Sequence, residues 1–466
     1  MQITKTPLRG LLIIQTELHG DRRGWFTETY TKNKFQDHGI ELDFVQDNQS
    51  YSAQKGTLRG IHFQLNPKAQ SKLIRCTRGA IVDTVVDLRK GSDTYRKWFS
   101  IELSAENKKQ LLIPKGFGHA FLTITDDVEV QYKVDEYYSK EHDRSIKFDD
   151  PQLNIDWGIV DPILSQKDLN APYLEDSDVN FSIKVLVTGA RGQLGYDVIK
   201  RLNELGIENQ GVDILDFDLT DREQTITYLQ RSKPDVVVHC AAYTSVDKAE
   251  DEKELCYAIN VDGTRAIAEA CRKIDAKLVY ISTDYVFDGE GTQAQREDKP
   301  TDPVNYYGYT KAQGEEAVRE LLDKHFIIRT SWVYGKNGNN FVKTMLKLAQ
   351  SKAEINVVDD QIGAPTYTKD LAVLICDLLQ TTNFGTYHGV NSGYCSWYQF
   401  ALAIFEHAGI EMKVNPLPSS EYPTRARRPF NSRLSTDNLV KGGQSPLPSW
   451  EDALVRFLQE LRGEQE

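Results

Sequence analysis

Residues 183–195, Ile183-Lys-Val-Leu-Val-Thr-Gly189-Ala-Arg191-Gly192-Gln193-Leu194-Gly195, decide how the chain is read. Ile183–Val187 is an apolar, β-branched run that reads as a buried strand, and the run ends in three glycines spaced G-x-x-G-x-x-G. Glycines at a strand-to-helix turn let backbone N–H groups approach a pyrophosphate and let the helix pack closely on the sheet. The spacing is not the G-x-G-x-x-G of simple dehydrogenases, and alone it marks a strand–turn–helix as readily as a cofactor cradle. Working outward, the strands KVLVTG, DVVVHCAA and KLVYIST alternate with amphipathic helices at Gln193–Leu205, Arg222–Arg231, Lys253–Lys273 and Lys311–Leu322. That alternation predicts an α/β domain with a parallel sheet and right-handed crossovers.

The context of the glycine turn points to a dinucleotide. Asp213 follows the expected second strand and is placed to meet an adenosine ribose, with Asp218 and Leu219 lining the adenine. No Arg or Lys follows Asp213 to take a 2′-phosphate, a pattern that suits NAD, although NADH and NADPH both remain open. His239-Cys-Ala-Ala242 ends a buried strand with small residues where a dinucleotide would cross the sheet. Tyr307-Gly-Tyr-Thr-Lys311 puts a phenol and an ammonium one helical turn apart, on one face. A nearby ammonium is expected to lower the phenol's pKa so that it can exchange a proton near neutrality. Thr283, at the end of the KLVYIST strand, can bond the same substrate oxygen; by itself a Y-x-x-x-K pair is more often an incidental surface pair.

Upstream the character changes. The apolar runs Leu11–Ile14, Lys72–Arg75, Ala80–Val86, Phe99–Leu103, Gln110–Ile113 and Glu129–Lys133 are short, and Thr31–His38 is the best helix candidate. Many short strands at such spacing predict a sandwich or barrel. The reading divides the chain into a β domain over 1–172, a polar and acidic linker over 173–182, and the α/β domain over 183–466. A length of 466 residues exceeds one hydrophobic core. The 56 Lys and Arg against 68 Asp and Glu give a net charge of −12, so no global field favours nucleic acid or an anionic membrane. The six cysteines are scattered with no C-x-x-C pair, which predicts reduced thiols and a cytoplasmic protein. No signal peptide and no run long enough for a membrane helix are read from the sequence.

In this acidic chain the first half holds a local basic set. It comprises Asp21-Arg-Arg23-Gly-Trp-Phe26-Thr-Glu28, Gln46-Asp47-Asn48-Gln49, Thr57-Leu-Arg59-Gly-Ile-His62-Phe-Gln64, Lys72, Arg75, Arg78 and Pro114-Lys-Gly-Phe-Gly-His119. Arginine, lysine, histidine and amide side chains on strands suit a diphosphate. His62 and His119 could instead be satisfied core histidines. A metal is disfavoured, because the pattern is His62-Phe-Gln64 rather than H-x-H with a carboxylate, and two ligands make a weak site.

Two resemblances follow. TGARGQLG, HCAAYTSVDKAE, YISTDYVFDG, NYYGYTKAQGE, RTSWVYG and RPFNSRLS, in that order from Ile183 to the C-terminus, closely resemble the dTDP-4-dehydrorhamnose reductases of the extended short-chain dehydrogenase family. The resemblance implies a Rossmann fold with a smaller substrate-binding subdomain. It implies Thr283, Tyr307 and Lys311 as the catalytic set and Asp284 and Trp332 as substrate contacts. It also implies cofactor contacts from the glycine turn, Ala241, Ala242, Tyr243, Thr244 and the Tyr307/Lys311 pair. A related regulatory subunit of methionine adenosyltransferase shares this fold without reducing sugars; the intact Tyr307/Lys311 pair argues against that role.

Residues 1–172 resemble the dTDP-4-dehydrorhamnose 3,5-epimerases, metal-free jelly-roll proteins of the cupin type. The resemblance puts the family's base at His62 in RGIHF, its orienting carboxylate at Asp168 in LSQKDLNAP, and its opposite-face acid at Tyr132 in VQYKVDEYYS. Substrate-binding positions match at Arg23, Phe26, Glu28, Asp47, Asn48, Gln49, Arg59, Lys72 and His119. Asp143 stands where a glutamate is expected and Lys167 where an arginine is expected, so one sugar or base contact is rerouted or weakened. A C4 ketone acidifies C3–H and C5–H, so His62 would take a proton from one face. Lys72 would stabilise the enolate, and Tyr132 would return a proton from the other face.

Together the resemblances imply two enzymes in series on one dTDP-4-dehydro-6-deoxy sugar, ending in dTDP-L-rhamnose, with one chain raising the local concentration of an unstable ketone. A homodimer through the first half is implied as well. No Mg²⁺ ligand set is evident in the sequence. The rival readings are a UDP-linked sugar, a single epimerisation, or one half acting as a non-catalytic module.

Overall fold

The computed structural model describes residues 1–463, and its contacts divide into two compact units, Met1–Ser182 and Ile183–Glu466. No helix among the described residues is long and apolar enough to cross a membrane.

The first unit consists of two facing antiparallel sheets. One carries six strands in the order Gln2–Lys5, Leu12–Gln15, Gln110–Ile113, Lys72–Arg78, Val128–Val134 and Gln46–Ser52. The other carries five, in the order Asp143–Ser145, Leu58–Gln64, Phe117–Thr123, Ala80–Asp87 and Trp98–Ser104. Alternate residues point to opposite faces of a strand, so Ile74, Cys76, Val128 and Val130 of the first sheet meet Ile81, Val85, Leu103, Phe117 and Phe121 of the second in the buried core between them. The other face of the five-stranded sheet is covered by the segment that follows it: Ile146, Leu153, Leu174 and Phe181 pack against Leu58, Phe63 and Leu122. Residues 173–182, expected to be a linker, therefore belong to the first unit. Leu174 and Phe181 are buried, and Lys90 donates its N–H to the Phe181 carbonyl. The polar and acidic character of that stretch hid two apolar anchors.

The second unit is built on six parallel strands in the order Glu208–Val212, Lys184–Thr188, Val236–His239, Lys277–Thr283, His325–Thr330 and Gly385–His388. Both faces are covered. Val185, Val187, Val236 and Val238 pack against Gln193–Glu204 and Thr368–Leu378, while Leu186, Val237, Leu278 and Tyr280 pack against Arg222–Ser232, Thr264–Ile274 and Tyr306–Leu321. Lys184–Thr188, Val236–His239 and Lys277–Thr283, buried on both sides, read as near-continuous apolar runs, which is why they stood out in the sequence. A further core joins the helices Phe341–Leu348, Trp397–Ala408 and Trp450–Arg462, with Phe400, Ile404, Leu454 and Phe457 at its centre. The helix expected over Lys253–Lys273 is one run in three parts: an α turn over Lys253–Tyr257, a π-helical stretch over Ala258–Gly263 and an α-helix over Thr264–Ile274.

Candidate active sites

In the first unit, the polar end of the inter-sheet core gathers titratable groups from both sheets. His119 stands directly opposite His62 across the antiparallel pair, and Phe121 stands opposite Arg59, with a register shift between them. That bulge turns Arg59 and His62 to the same face, although three residues of chain separation would oppose them in a regular strand. Gly60 makes it possible: its φ is +125°, and a Cβ there would come within 2.6 Å of Ala120.

His62 Nε2 lies 2.5 Å from Asp168 Oδ1. Asp168 starts no sheet strand; it rides on the short helix Gln166–Leu169, whose N-cap Ser165 donates its hydroxyl to Asp168 Oδ2 at 2.7 Å. Burial opposes ionisation of Asp168, but the hydrogen bond and charge of His62, with Ser165, hold its carboxyl below the ordinary carboxylate range. His119 is buried and bonds Asp83 at 2.9 Å. Burial pushes its pKa down, Asp83 works against that, and Lys72 and His62 reinforce it. Burial also pulls the Lys72 ammonium down to about 8, with Asp83 and Asp143 holding it up and Lys167 pressing it down. Tyr132 sits 5.9 Å from Lys72 Nζ by its ring centre, and its phenol is raised by burial, with Arg59 pulling it down and Asp143 adding to the rise. Lys167 closes a 2.6 Å ion pair with Asp143, which also accepts from the Tyr138 hydroxyl at 3.3 Å. His62, Lys72, His119, Tyr132, Arg59, Asp143, Lys167 and Asp168 thus converge.

Other expected contacts do not. In the strand Gln46–Ser52, Asn48 is opposite Tyr132 and shares its face with Gln46, whose amide it accepts at 2.8 Å. Asp47 and Gln49 point the other way, to Lys133 at 2.7 Å and Glu129 at 3.0 Å, because successive side chains of a strand alternate. Arg23 and Phe26 lie on the hairpin His19–Asp21/Gly24–Phe26, which among the described residues pairs with no other strand. Phe26 is 65% exposed, and the Arg23 guanidinium is paired with Asp21. Glu28 is paired with Lys34 beside a separate small cavity. Sequence reading missed Asp83 and Tyr138. The alternation of Ala80–Asp87, which turns an acid inward, was the available signal for Asp83.

In the second unit, a cavity of about 760 Å³ opens at the carboxyl ends of the parallel strands. Gly189, Gly192, Gln193, Leu194 and Gly195 form one wall, with Asp213, Ala241, Ala242 and Thr244 beside them; Thr283, Asp284, Tyr307, Lys311 and Trp332 line the remainder. The glycine turn fits a dinucleotide. Gly189 has φ +64°, a Cβ there would meet Ala241 N at 2.8 Å, and one on Gly195 would meet Gly189 O at 2.3 Å. Arg191 donates its backbone N–H to Asp213 at 3.1 Å, which fixes that carboxylate at the turn; the Arg191 side chain is exposed. Asp218 and Leu219 border an adjoining apolar slot of about 150 Å³ with Ile214, Phe217 and Ile259. Tyr243 is the exception: its hydroxyl bonds Glu252 at 2.7 Å, while its backbone N–H is held by Asn260 at 2.8 Å.

Asn305 caps the helix Tyr306–Leu321 through Gly308 N, so Tyr307 and Lys311 occupy its first turns. The expected depression of the phenol by the ammonium does not occur. Tyr307 is raised, first by burial and then by the Asp284 charge, with Thr283 alone pulling it down. Lys311 is itself desolvated to about 7, and its Nζ lies 4.1 Å from the Tyr280 ring centre. Asp284, buried at the strand end, is lifted to about 6 against hydrogen bonds from Ser432 and Thr283. Glu315, one turn beyond Lys311, is fully buried and accepts from Ser282 at 2.6 Å and from Arg329 at 2.8 and 2.7 Å. Trp332 stacks on Trp397, a cavity residue that sequence reading passed over.

A strand-borne histidine bonded to a helix-borne aspartate and facing a tyrosine, and a glycine turn facing a Tyr/Lys helix, define an isomerase site and a reductase site on one chain. The chain belongs to the family described as RmlD substrate binding domain, matched over residues 183–463, and residues 5–176 match the model of dTDP-4-dehydrorhamnose 3,5-epimerase. A spore coat polysaccharide biosynthesis protein of Bacillus subtilis is 46% identical over 277 residues, 59% of this chain and 97% of that protein. The dTDP-4-dehydrorhamnose reductase of Bacillus anthracis, solved in complex with NADP, is 45% identical, covers 60% of this chain and 99% of its own, and superposes with a TM-score of 0.59. The dTDP-4-dehydrorhamnose 3,5-epimerase of Bacillus anthracis is 49% identical and covers 37% of this chain and 99% of its own, with a TM-score of 0.37. The chain is a fusion of a dTDP-sugar 3,5-epimerase domain and a dTDP-4-dehydrorhamnose reductase domain.

Proposed function

We propose that the first unit, a cupin-type jelly roll, epimerises dTDP-4-dehydro-6-deoxyglucose at C3 and C5, and that the second, a Rossmann-type unit, reduces the C4 ketone to give dTDP-L-rhamnose. The observation that carries the reading is the placement of His62 and Tyr132 on facing sheets, since inversion at carbon needs a base and an acid on opposite faces. His62, oriented by Asp168, removes the proton next to the ketone. Lys72 donates to the enolate oxygen, in a setting dry enough to make that donor count. Tyr132 returns a proton from the other side.

In the second unit, the glycine turn and Asp213 would hold the phosphates and ribose of a nicotinamide cofactor and Lys311 its nicotinamide end, and that cofactor would supply the hydride. Thr283 and Tyr307 bond the C4 oxygen, and Tyr307 delivers the proton. NADPH is the favoured cofactor, on the likeness to the NADP-bound reductase, and the exposed Arg191 side chain beside Asp213 is available to a 2′-phosphate. The exposed Trp25 and Phe26 on their hairpin support a homodimer through the first unit, and the six free cysteines support a cytoplasmic location.

The test supplies dTDP-4-dehydro-6-deoxyglucose and NADPH and follows loss of reduced-nicotinamide absorbance. Tyr307→Phe abolishes the signal. His62→Ala abolishes it too, and added free epimerase restores it. An unaffected His62→Ala would show that the first unit is not the epimerase.

A further inference from the structure

We propose that Trp397 is a positioning residue of the reductase site, one that holds the Trp332 indole as a fixed apolar wall for the sugar nucleotide. The inference rests on the reductase reading above and adds to it a residue that the reading does not use.

Four observations meet here. Trp332 has φ +49°, a left-handed conformation unfavourable for a bulky side chain and retained only where the surroundings over-determine it. Its carbonyl accepts from Thr366 N at 3.2 Å, so the strained backbone is tied down. Its indole lies against Gly363, where a Cβ would come within 2.6 Å of Cε2, and it stacks on Trp397 with ring centres 3.6 Å apart and planes 12° apart. Both indoles border the cavity that holds Tyr307 and Thr283.

Trp397 is itself fixed. It is the first residue of the helix Trp397–Ala408, whose capping box pairs Ser396 with Gln399, and its ring packs on Phe341 at 4.6 Å. Trp332 lies two residues beyond Thr330, the register partner of Thr283. The wall therefore stands beside the position of the reacting oxygen, and the role assigned to Trp397 runs through its stack on Trp332. Loss of Trp397 releases the strained wall and leaves the glycine turn, Tyr307 and Lys311 in place.

The experiment uses the full chain, with free epimerase in excess so that the first unit does not limit. Trp397→Leu, Trp332→Leu and the double variant are compared for KM and kcat in the reductase step, and for NADPH affinity by fluorescence of the bound cofactor. The expected result is a KM for the sugar nucleotide raised about tenfold by either single change, with kcat and NADPH affinity near wild type. The double variant should be no worse than one single, because two residues acting through one contact are not additive. Trp397→Phe, which retains a stacking ring, recovers most of the loss. Multiplicative singles, a loss confined to NADPH affinity, or a Trp397→Phe as impaired as Trp397→Leu overturns the assignment. A wild-type chain that does not oxidise NADPH sinks the reductase reading and this inference together, whereas an active wild type with multiplicative singles sinks only the inference.

Discussion

His119 faces His62 directly across one antiparallel strand pair, and each imidazole bonds an aspartate, yet the two are buried to different depths. The His62 side chain is 32% exposed and bonds a carboxylate held ionised, whereas that of His119 is 9% exposed and is pushed toward the neutral form by burial. One ring is open to substrate. The other is buried and held on Asp83.

Asp168→Asn tests the first setting. The amide keeps the shape and removes the charge that orients and stabilises protonated His62, so the exchange of solvent deuterium into C3 and C5 falls by roughly 10²–10⁴-fold. NADPH oxidation with free epimerase added remains at the wild-type rate. Deuterium incorporation followed by NMR reads the first effect and absorbance the second.

Lys72 acts as an ammonium, and its pKa of about 8 makes epimerisation depend on pH from above. As pH rises through that value the enolate loses its cationic donor, and kcat/KM for deuterium exchange declines. Lys72→Arg retains its charge at any pH used, so the alkaline limb moves up out of range even where the absolute rate is lower. A limb unchanged in Lys72→Arg assigns it to another group.

Tyr307 and Lys311 give the reductase a different limb. The raised phenol keeps its proton throughout the neutral range, which is the donor form reduction needs. Lys311, lowered from 10.5 to about 7, loses its charge first. For the free enzyme, kcat/KM of NADPH oxidation therefore declines above about pH 7, and Lys311→Arg removes that decline. Between about 7 and 10.5 the unfolded chain binds the proton that the folded one has released, so stability rises with pH across that window. Lys311→Met, with no proton to release, flattens that slope in urea unfolding measured at several pH values.

Glu315 and Arg329 form a buried ion pair, the carboxylate at 0% and the guanidinium at 2% side-chain exposure. Glu315→Leu leaves Arg329 charged and unpaired in the core, a loss of about 3–5 kcal/mol. The urea midpoint of the second unit drops accordingly, while deuterium exchange by the first unit is unchanged at low urea.

The residues themselves determined the α/β half. Lys184–Thr188, Val236–His239 and Lys277–Thr283 are near-continuous apolar runs, the glycine turn is local, and Tyr307 and Lys311 share one helix, so each signal lies within a few residues of chain. The epimerase half is different. Gln46–Ser52, Leu58–Gln64 and Phe117–Thr123, which carry Asn48, His62 and His119, lie outside the apolar runs read from the sequence. What only the tertiary structure decided follows from contacts at long sequence separation and from faces. Asp168 reaches His62 from 106 residues away, and Asp83 reaches His119 from 36. A bulge at Gly60 brings Arg59 to the side of His62, and strand alternation keeps Asn48 while turning Asp47 and Gln49 away. The ionisation of Tyr307 and Lys311 also waited on the fold, because burial and the neighbouring Asp284 outweigh the spacing of four residues that first suggested their chemistry.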